Sequence, residues 1–234
     1  MSHKPDWMEN AKKNAALKAV THVNDGYVVG LGSGTTAAYA IQALGARLKK
    51  EKIHFLGIPT SFQAFLLAAE NGIPMTTLEE HPVIDVTIDG ADQVTPKLEL
   101  IKGMGGALTR EKIVAKASKK NIIIADETKK VKVLGQQDQP VPIEIVPFAT
   151  SLVIRAIRAI GGKPTLRESH GKLGPVVTDN GNFIIDAIFG PIPDPQKLEQ
   201  KLKALTGVVE TGLFIGTADI AYIGTRSQVE KISR

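Results

Sequence analysis

The stretch from Gly26 to Lys50 reads GYVVGLGSGTTAAYAIQALGARLKK, and its reading decides the fold. Tyr27 to Val29 is a short β-rich run, and Gly30 to Gly34 is a glycine turn. From Thr35 the spacing predicts a helix with Ala37, Ala38, Ile41 and Leu44 facing inward. Strand, glycine loop and helix together form the phosphate-reading unit of α/β folds. Glycine lets backbone N–H groups crowd a ligand, and the helix N-terminus adds partial positive charge. A dinucleotide fingerprint needs G-x-G-x-x-G and an acid closing the next strand. Here Thr35 stands where the third glycine belongs, and the next strand, IHFLGIPTS (53–61), ends in Pro59, Thr60 and Ser61, which argues against NAD. No Lys follows Gly34, so this is not a Walker loop either. The hydroxyls of Ser33, Thr35 and Thr36, with the loop amides, suit one phosphate or a polyol. The competing reading is a plain glycine turn at a strand–helix joint.

Working outward, residues 8–24 read as a helix with Ala11, Ala15, Ala19 and Val20 on its apolar stripe, which places Lys12 and Lys13 on the solvent face. FQAFLLAAENG (62–72) is a helix closed by Gly72 at C′, and 73–77 is a short strand. PVIDVTID (82–89) suits a buried parallel strand. It runs into DGAD, so Asp89 and Asp92 lie at the carboxyl end of a strand, where open α/β sheets bind ligands. Two carboxylates that close repel unless a cation or ligand hydroxyls lie between them. Two acids alone make a thin shell for Mg²⁺; accepting hydrogen bonds from sugar hydroxyls is the better reading. An Asp turn at a strand end is the bland one.

LIKGMGGALTREK (100–112) concentrates the chemistry: one lysine, three glycines and one glutamate between apolar segments. Lys102 brings a full positive charge to the mouth of an amide-rich loop, and Glu111 sits in the first turns of the following helix, which is expected to run to about Lys120. A carboxylate close to an anion-binding loop is electrostatically awkward, and such placements mark function more often than chance. NIIIADETKK (121–130) is another buried strand ending in acids. Lys129 then either pairs with Asp126, the simpler outcome, or touches a phosphate.

Around 135–147 the texture changes: GQQDQPVPIEIVP carries three prolines and a glycine and reads as an inter-domain crossing. Beyond it come strand (143–146), helix (149–160), strand (164–168), a hairpin turning at Asn180-Gly181, helix (194–206) and strand (207–213). DIAYIG (219–224) reads as a last strand returning to the first domain. The expectation is an α/β protein: a Rossmann-like, mostly parallel sheet with helices on both faces (1–134 and 214–234), plus a smaller α+β, ferredoxin-like domain (135–213) for structure or subunit contact. His170 falls in a polar loop and is expected to be exposed.

The 234 residues are 43% hydrophobic and 23% charged, ordinary for a globular chain with a sizeable core. There is no Cys, which excludes disulfides, thiolate metal sites and a cysteine nucleophile. No apolar run spans a bilayer and the N-terminus lacks a signal-peptide core, so the cytoplasm is the expectation. The net charge of +5 is spread among acids and aromatics are only 5%, which disfavours nucleic acid and suits a small anionic substrate.

Three motifs in this order say more than any one alone. GLGSGTTAA at 30–38, DGADQV at 89–94 and KGMGGALTREK at 102–112 closely resemble the type A ribose-5-phosphate isomerases; PVVTDNGNFIID at 175–186 and TGLF at 211–214 extend the likeness over nearly the whole chain. The resemblance implies interconversion of ribose 5-phosphate and ribulose 5-phosphate in the pentose phosphate pathway, without metal or cofactor, by a homodimer or homotetramer. It implies Glu111 as general base, with Asp89, Asp92 and Lys102 assisting. Substrate contacts fall to Ser33, Gly34, Thr35 and Thr36, to Asp89, Gly90, Ala91 and Asp92, and to Lys102, Gly103, Met104 and Gly105, with Lys129 and, less securely, Lys12. Met104 stands where many members have Gly, and Ser33-Gly34-Thr35 replaces the commoner Thr-Gly-Ser order. The rival from another class is a sugar-phosphate sensor without turnover. A sensor needs no base and usually carries a DNA-binding helix pair, for which the residues ahead of the first helix leave no room. An amino-sugar phosphate deaminase would want a catalytic His, and none of the five His falls in the three motifs. A CoA transferase would set its nucleophilic Glu differently.

Overall fold

The computed structural model describes residues 6–169, 171 and 173–234, so the expectation for His170 lies outside the described residues. In chain order the elements are α1 (Asp6–Val20), β1 (Tyr27–Leu31), α2 (Thr35–Glu51), β2 (Phe55–Pro59), α3 (Phe62–Glu70), β3 (Val86–Gly90), β4 (Gln93–Val94), β5 (Leu100–Ile101) and α4 (Leu108–Lys116). They continue with β6 (Asn121–Asp126), β7 (Val141–Ile145), α5 (Thr150–Ala159), β8 (Lys163–Leu166), β9 (Phe183–Ile188), α6 (Pro195–Lys203), β10 (Val208–Thr211), β11 (Leu213–Phe214), β12 (Ile220–Gly224) and β13 (Val229–Ser233).

The chain divides into two units: Met1–Ala91, Arg110–Lys130 and Gly216–Arg234 make one, Asp92–Thr109 and Val131–Ile215 the other. This differs from a division at 134 and 214 chiefly in handing 92–109, with Asp92 and the glycine loop, to the second unit.

The first unit is a six-stranded sheet of order β13-β12-β6-β3-β1-β2, parallel except for β13, which pairs antiparallel with β12. Counting only the parallel strands, the order is 2-1-3-4-5. The winding direction reverses between β1 and β3, and a crevice at that reversal is where such sheets take ligands. Side chains alternate across the pleat. Val29, Leu31, Val86, Ile88, Ile122 and Ile124 pack on one face against α1, α2 and α3. Val28, Ile58 and Ile84 pack on the other face against Val114 of α4. Both faces are covered, which is why β6 is buried along its whole length.

The second unit holds a four-stranded antiparallel sheet of order β10-β7-β9-β8, with residues of α5 and α6 in its core. Its chain order β7-α5-β8-β9-α6-β10 is the ferredoxin-like arrangement. A three-stranded antiparallel sheet, β11-β5-β4, belongs to the same unit.

Several local expectations change. Residues 73–77 form no strand; they contribute one isolated bridge, Gly57 to Met75. The helix expected to reach Lys120 stops at Lys116, because Ser118 and Lys119 turn to bond the chain entering β3: Lys119 N donates to Ile84 O and Ile84 N to Ala117 O. The hairpin at Asn180-Gly181 is present, with Thr178 N bonded to Asn182 O, but its first arm is only a bridge at Val177. DIAYIG (219–224) is not the last strand: β13 follows it and pairs antiparallel with β12.

Candidate active site

Glu111 is positioned by α4. A Cβ placed on Gly30 of β1 would lie 2.6 Å from Val114 Cγ1, so α4 crosses the sheet in close contact there. Its C-terminal end meets the start of β3, through Ile84 N to Ala117 O at 2.9 Å and Thr87 Oγ1 to Ser118 Oγ at 2.6 Å. The helix therefore runs against the strand direction. Glu111 is three positions ahead of Val114 and seven ahead of Ser118, on the same side of the helix and about 10 Å along the axis from Ser118. That places it toward the carboxyl ends of β1 and β3, and it is only 5% exposed.

Asp89 lies on the same face. Thr87 faces α4, so Asp89, two residues on, faces it too, about 7 Å nearer the strand ends. It is 2% exposed, and its Oδ1 accepts from Ser33 N at 3.1 Å and Gly90 N at 2.7 Å. Gly32 makes this junction possible, since a Cβ there would stand 2.1 Å from Asp89 Oδ1 and 2.5 Å from its Cα. The Gly32–Ser33 turn and Asp89 thus meet at the reversal between β1 and β3.

Ser33 does not present a free hydroxyl. Its Oγ lies 2.7 Å from Thr60 Oγ1 and donates to Ser61 Oγ at 2.6 Å, while Gly34 N donates to Gln63 Oε1 at 2.8 Å. In the sequence Thr60 and Ser61 stand only where a dinucleotide site would have its acid, and Gln63 belongs to no motif. The signal was available: β1 and β2 are parallel neighbours with Leu31 opposite Pro59, so the residues after each strand fall side by side. Ser61 also N-caps α3 through Ala64 N. Thr35 is exposed and Thr36 half-buried at the start of α2, whose N-cap residue Gly34 supplies no side-chain cap.

Lys12 corrects an expectation. It is 3% exposed rather than on the solvent face, with Nζ donating to Glu9 Oε1 at 2.7 Å, and Glu9 Oε2 accepting from Tyr39 at 2.7 Å. Lys13 is exposed, as expected. The buried stripe of α1 includes Ala16 as well as Ala15, and Lys12 sits one turn ahead of Ala16 on the same row. Lys129 also departs from its simpler reading. Asp126 Oδ1 accepts from Thr128 N at 3.0 Å and from the Thr128 hydroxyl, and Lys129, half-buried, makes no ion pair among the described residues.

The remaining candidates belong to the second unit. Asp92 Oδ2 accepts from Met104 N at 3.0 Å. Lys102 is 3% exposed with Nζ 5.4 Å from the centre of the Phe214 ring, and its backbone N donates to Gly212 O at 2.9 Å. Gly103 is buried, while Met104 and Gly105 are exposed. Gly90 and Ala91 are half-buried at the link between the units' segments. Among the described residues no group of three or more His, Asp or Glu is gathered for a metal, and no helix is long and apolar enough to cross a membrane.

A buried carboxylate beside a glycine turn at the reversal of a doubly wound sheet defines an α/β protein equipped for acid–base work on a small polar ligand. Comparison with known proteins narrows this. The family model for ribose 5-phosphate isomerase A (phosphoriboisomerase A) matches residues 56–228. The ribose-5-phosphate isomerase A of Methanothermobacter thermautotrophicus is 50% identical over 216 residues, 92% of this chain and 94% of that one. That of Pyrococcus horikoshii is 47% identical over 97% and 99%. Among solved structures, a D-ribose-5-phosphate isomerase in complex with phospho-erythronic acid superposes with a TM-score of 0.94 at 47% identity, covering 97% of this chain and 99% of that one. Ribose 5-phosphate isomerase A from Methanocaldococcus jannaschii superposes with 0.93 at 44% identity, with the same coverage.

The chain belongs to the ribose 5-phosphate isomerase A family. It is an aldose–ketose isomerase that interconverts ribose 5-phosphate and ribulose 5-phosphate, and the sensor reading is not favoured.

Proposed function

We propose that Glu111 is the general base of this isomerisation. The observation that carries the assignment is its burial on the α4 face of the sheet, at the same strand ends as Asp89 and the Gly32–Ser33 turn. In the forward direction the Glu111 carboxylate takes the proton from C2 of the open-chain aldose. The electron pair moves onto the C1 carbonyl oxygen, giving an enediolate. Glu111 then returns the proton to C1, while the O2 hydroxyl proton passes to O1 and C2 becomes the carbonyl. A carboxylate shielded from bulk water suits this work.

The developing oxyanion needs donors already in place. We assign that task and the grip on the phosphate to Lys102, the amides of Gly103, Met104 and Gly105, and the Ser33–Thr36 turn, with Lys12 and Lys129 as further cations. Asp89 and Asp92, flanking Gly90 and Ala91, hold substrate hydroxyls and carry the proton between O1 and O2. A relative's complex with phospho-erythronic acid, a phosphorylated sugar acid, supports this class of ligand. The protein acts in the cytoplasm as a homodimer or homotetramer, with the smaller unit in subunit contact. It needs no metal or cofactor and has neither nucleic acid nor membrane as partner.

The test is ketose formation from ribose 5-phosphate by chelator-treated protein. Glu111→Gln is expected to lower kcat by about 10²–10⁴ with little change in KM, the usual contribution of one general base. Near-full turnover by Glu111→Gln would falsify the assignment.

A further inference from the structure

Arg167, just past the end of β8, lies outside all the motifs that point to the site. Its guanidinium is used on both sides. Nε donates to Asp186 Oδ2 at 2.7 Å and Nη2 to Asp186 Oδ1 at 2.5 Å, a two-pronged pair from β9. The remaining nitrogen, Nη1, donates to two successive carbonyls of the glycine loop, Gly103 O at 3.1 Å and Met104 O at 3.0 Å. Both side chains are largely buried, Arg167 at 13% exposure and Asp186 at 21%. A planar fork that is already oriented loses little freedom in making these bonds, and only Arg offers enough donors for all four.

A trans peptide points its C=O and the next N–H in opposite directions. With the Gly103 and Met104 carbonyls drawn to Arg167, the N–H groups of Met104 and Gly105 must face the other way. The Met104 N–H reaches Asp92 Oδ2 at 3.0 Å, and no hydrogen bond to a described residue engages the Gly105 N–H. The loop is otherwise fastened at its start by Lys102 N to Gly212 O and closed by a turn, Gly106 N to Gly103 O at 3.0 Å. Without Arg167 the Met104 carbonyl would lose its side-chain partner, and only the Gly106 turn and the Met104–Asp92 bond would hold the two peptides in place.

We propose that Arg167, held by Asp186, is a positioning residue for the isomerisation: it takes the Gly103 and Met104 carbonyls and so turns the loop's amide hydrogens toward the Asp92 side, preorganised for the developing oxyanion. The inference rests on the reading that the Lys102–Gly105 loop contacts substrate. Amides that meet charge developing on the substrate oxygen act more on the transition state than on binding.

The test compares Arg167→Ala, Arg167→Lys and Lys102→Met by steady-state kinetics on ribose 5-phosphate and by thermal unfolding. Arg167→Ala is expected to lose about 10²-fold in kcat, the scale of a small misplacement of catalytic groups, with KM nearly unchanged. Millimolar guanidinium should restore part of that loss, and should do nothing for Lys102→Met. Arg167→Lys, which keeps the charge without the fork, should unfold near the wild-type temperature yet stay impaired in kcat, and it carries the test if the alanine variant fails to fold. Wild-type kcat in either Arg167 variant overturns the proposal, as does a loss confined to KM or one that guanidinium does not relieve. Full turnover by Lys102→Met overturns the underlying reading of the loop, and the inference with it.

Discussion

At the scale of single residues, the site depends on close approach as much as on charge. Gly32 is the case that isolates it. Its φ is not in the left-handed region, so alanine is conformationally allowed, but the added Cβ would meet Asp89 at 2.1 Å. The neighbour is a buried carboxylate and its own backbone, which cannot swing aside. Gly32→Ala is therefore expected to cost about 1–3 kcal/mol in stability, the usual penalty of overpacking. It should also lower kcat by displacing Asp89. Urea unfolding and kinetics on the same preparation check both; an alanine variant as stable and active as wild type would mean that Asp89 has slack the geometry denies it. Residue identity alone revealed Glu111, Asp89 and Lys102 as chemistry-bearing. It did not reveal Arg167 or Gln63, whose roles come from which backbone groups they reach.

At the scale of elements, the ferredoxin-like sheet contains its own buried polar anchor. Glu144 of β7 is fully buried, and its Oε1 accepts from Thr178 Oγ1 at 3.0 Å, Asn180 Nδ2 at 3.0 Å and Asn182 Nδ2 at 2.8 Å. One strand carboxylate thereby gathers the whole turn of the Asn180-Gly181 hairpin, which compensates for a first arm that is only a bridge. Glu144→Ala strands the buried Thr178 hydroxyl, while the half-buried Asn182 and exposed Asn180 amides can turn to water, so about 1–3 kcal/mol of stability should be lost. Turnover at a temperature where the variant is folded should be unchanged, because the three groups that bond Glu144 Oε1 are not candidate site residues. A thermal melt that does not move would show that water replaces the carboxylate at no cost. The Asn-Gly signal announced the hairpin from sequence; the carboxylate that fastens it, thirty-odd residues upstream, carries no local signature.

At the scale of the whole molecule, stability is tied to pH through His22. Its Nε2 lies 2.8 Å from the Tyr222 hydroxyl of β12. Burial, then the charges of Lys120 and Lys231, hold its imidazole below the usual value of 6.5. The unfolded chain therefore binds a proton at His22 more readily than the folded one, and stability rises with pH wherever that difference exists. The contribution is fully present above pH 6.5 and is lost as pH falls through the lower folded value. Melting temperatures taken from pH 7.5 down to 5 should fall, and His22→Gln should flatten the upper part of that slope. An unchanged slope in the variant would assign the pH dependence to other groups.

The sequence by itself determined the class of fold, because hydrophobic period and glycine turns are local and the strand–loop–helix unit is written in consecutive residues. It also determined the family, through three motifs whose order no single spacing explains, and it marked Glu111 as the residue to test. Only the tertiary structure decided that Lys12 is buried, that Asp126 turns to Thr128 instead of Lys129, and that Arg167 holds the glycine loop. The reason is physical. A side chain's exposure and partner are set by elements that arrive from far along the chain, and a parallel sheet or a two-pronged arginine joins residues whose separation in sequence carries no trace of their meeting.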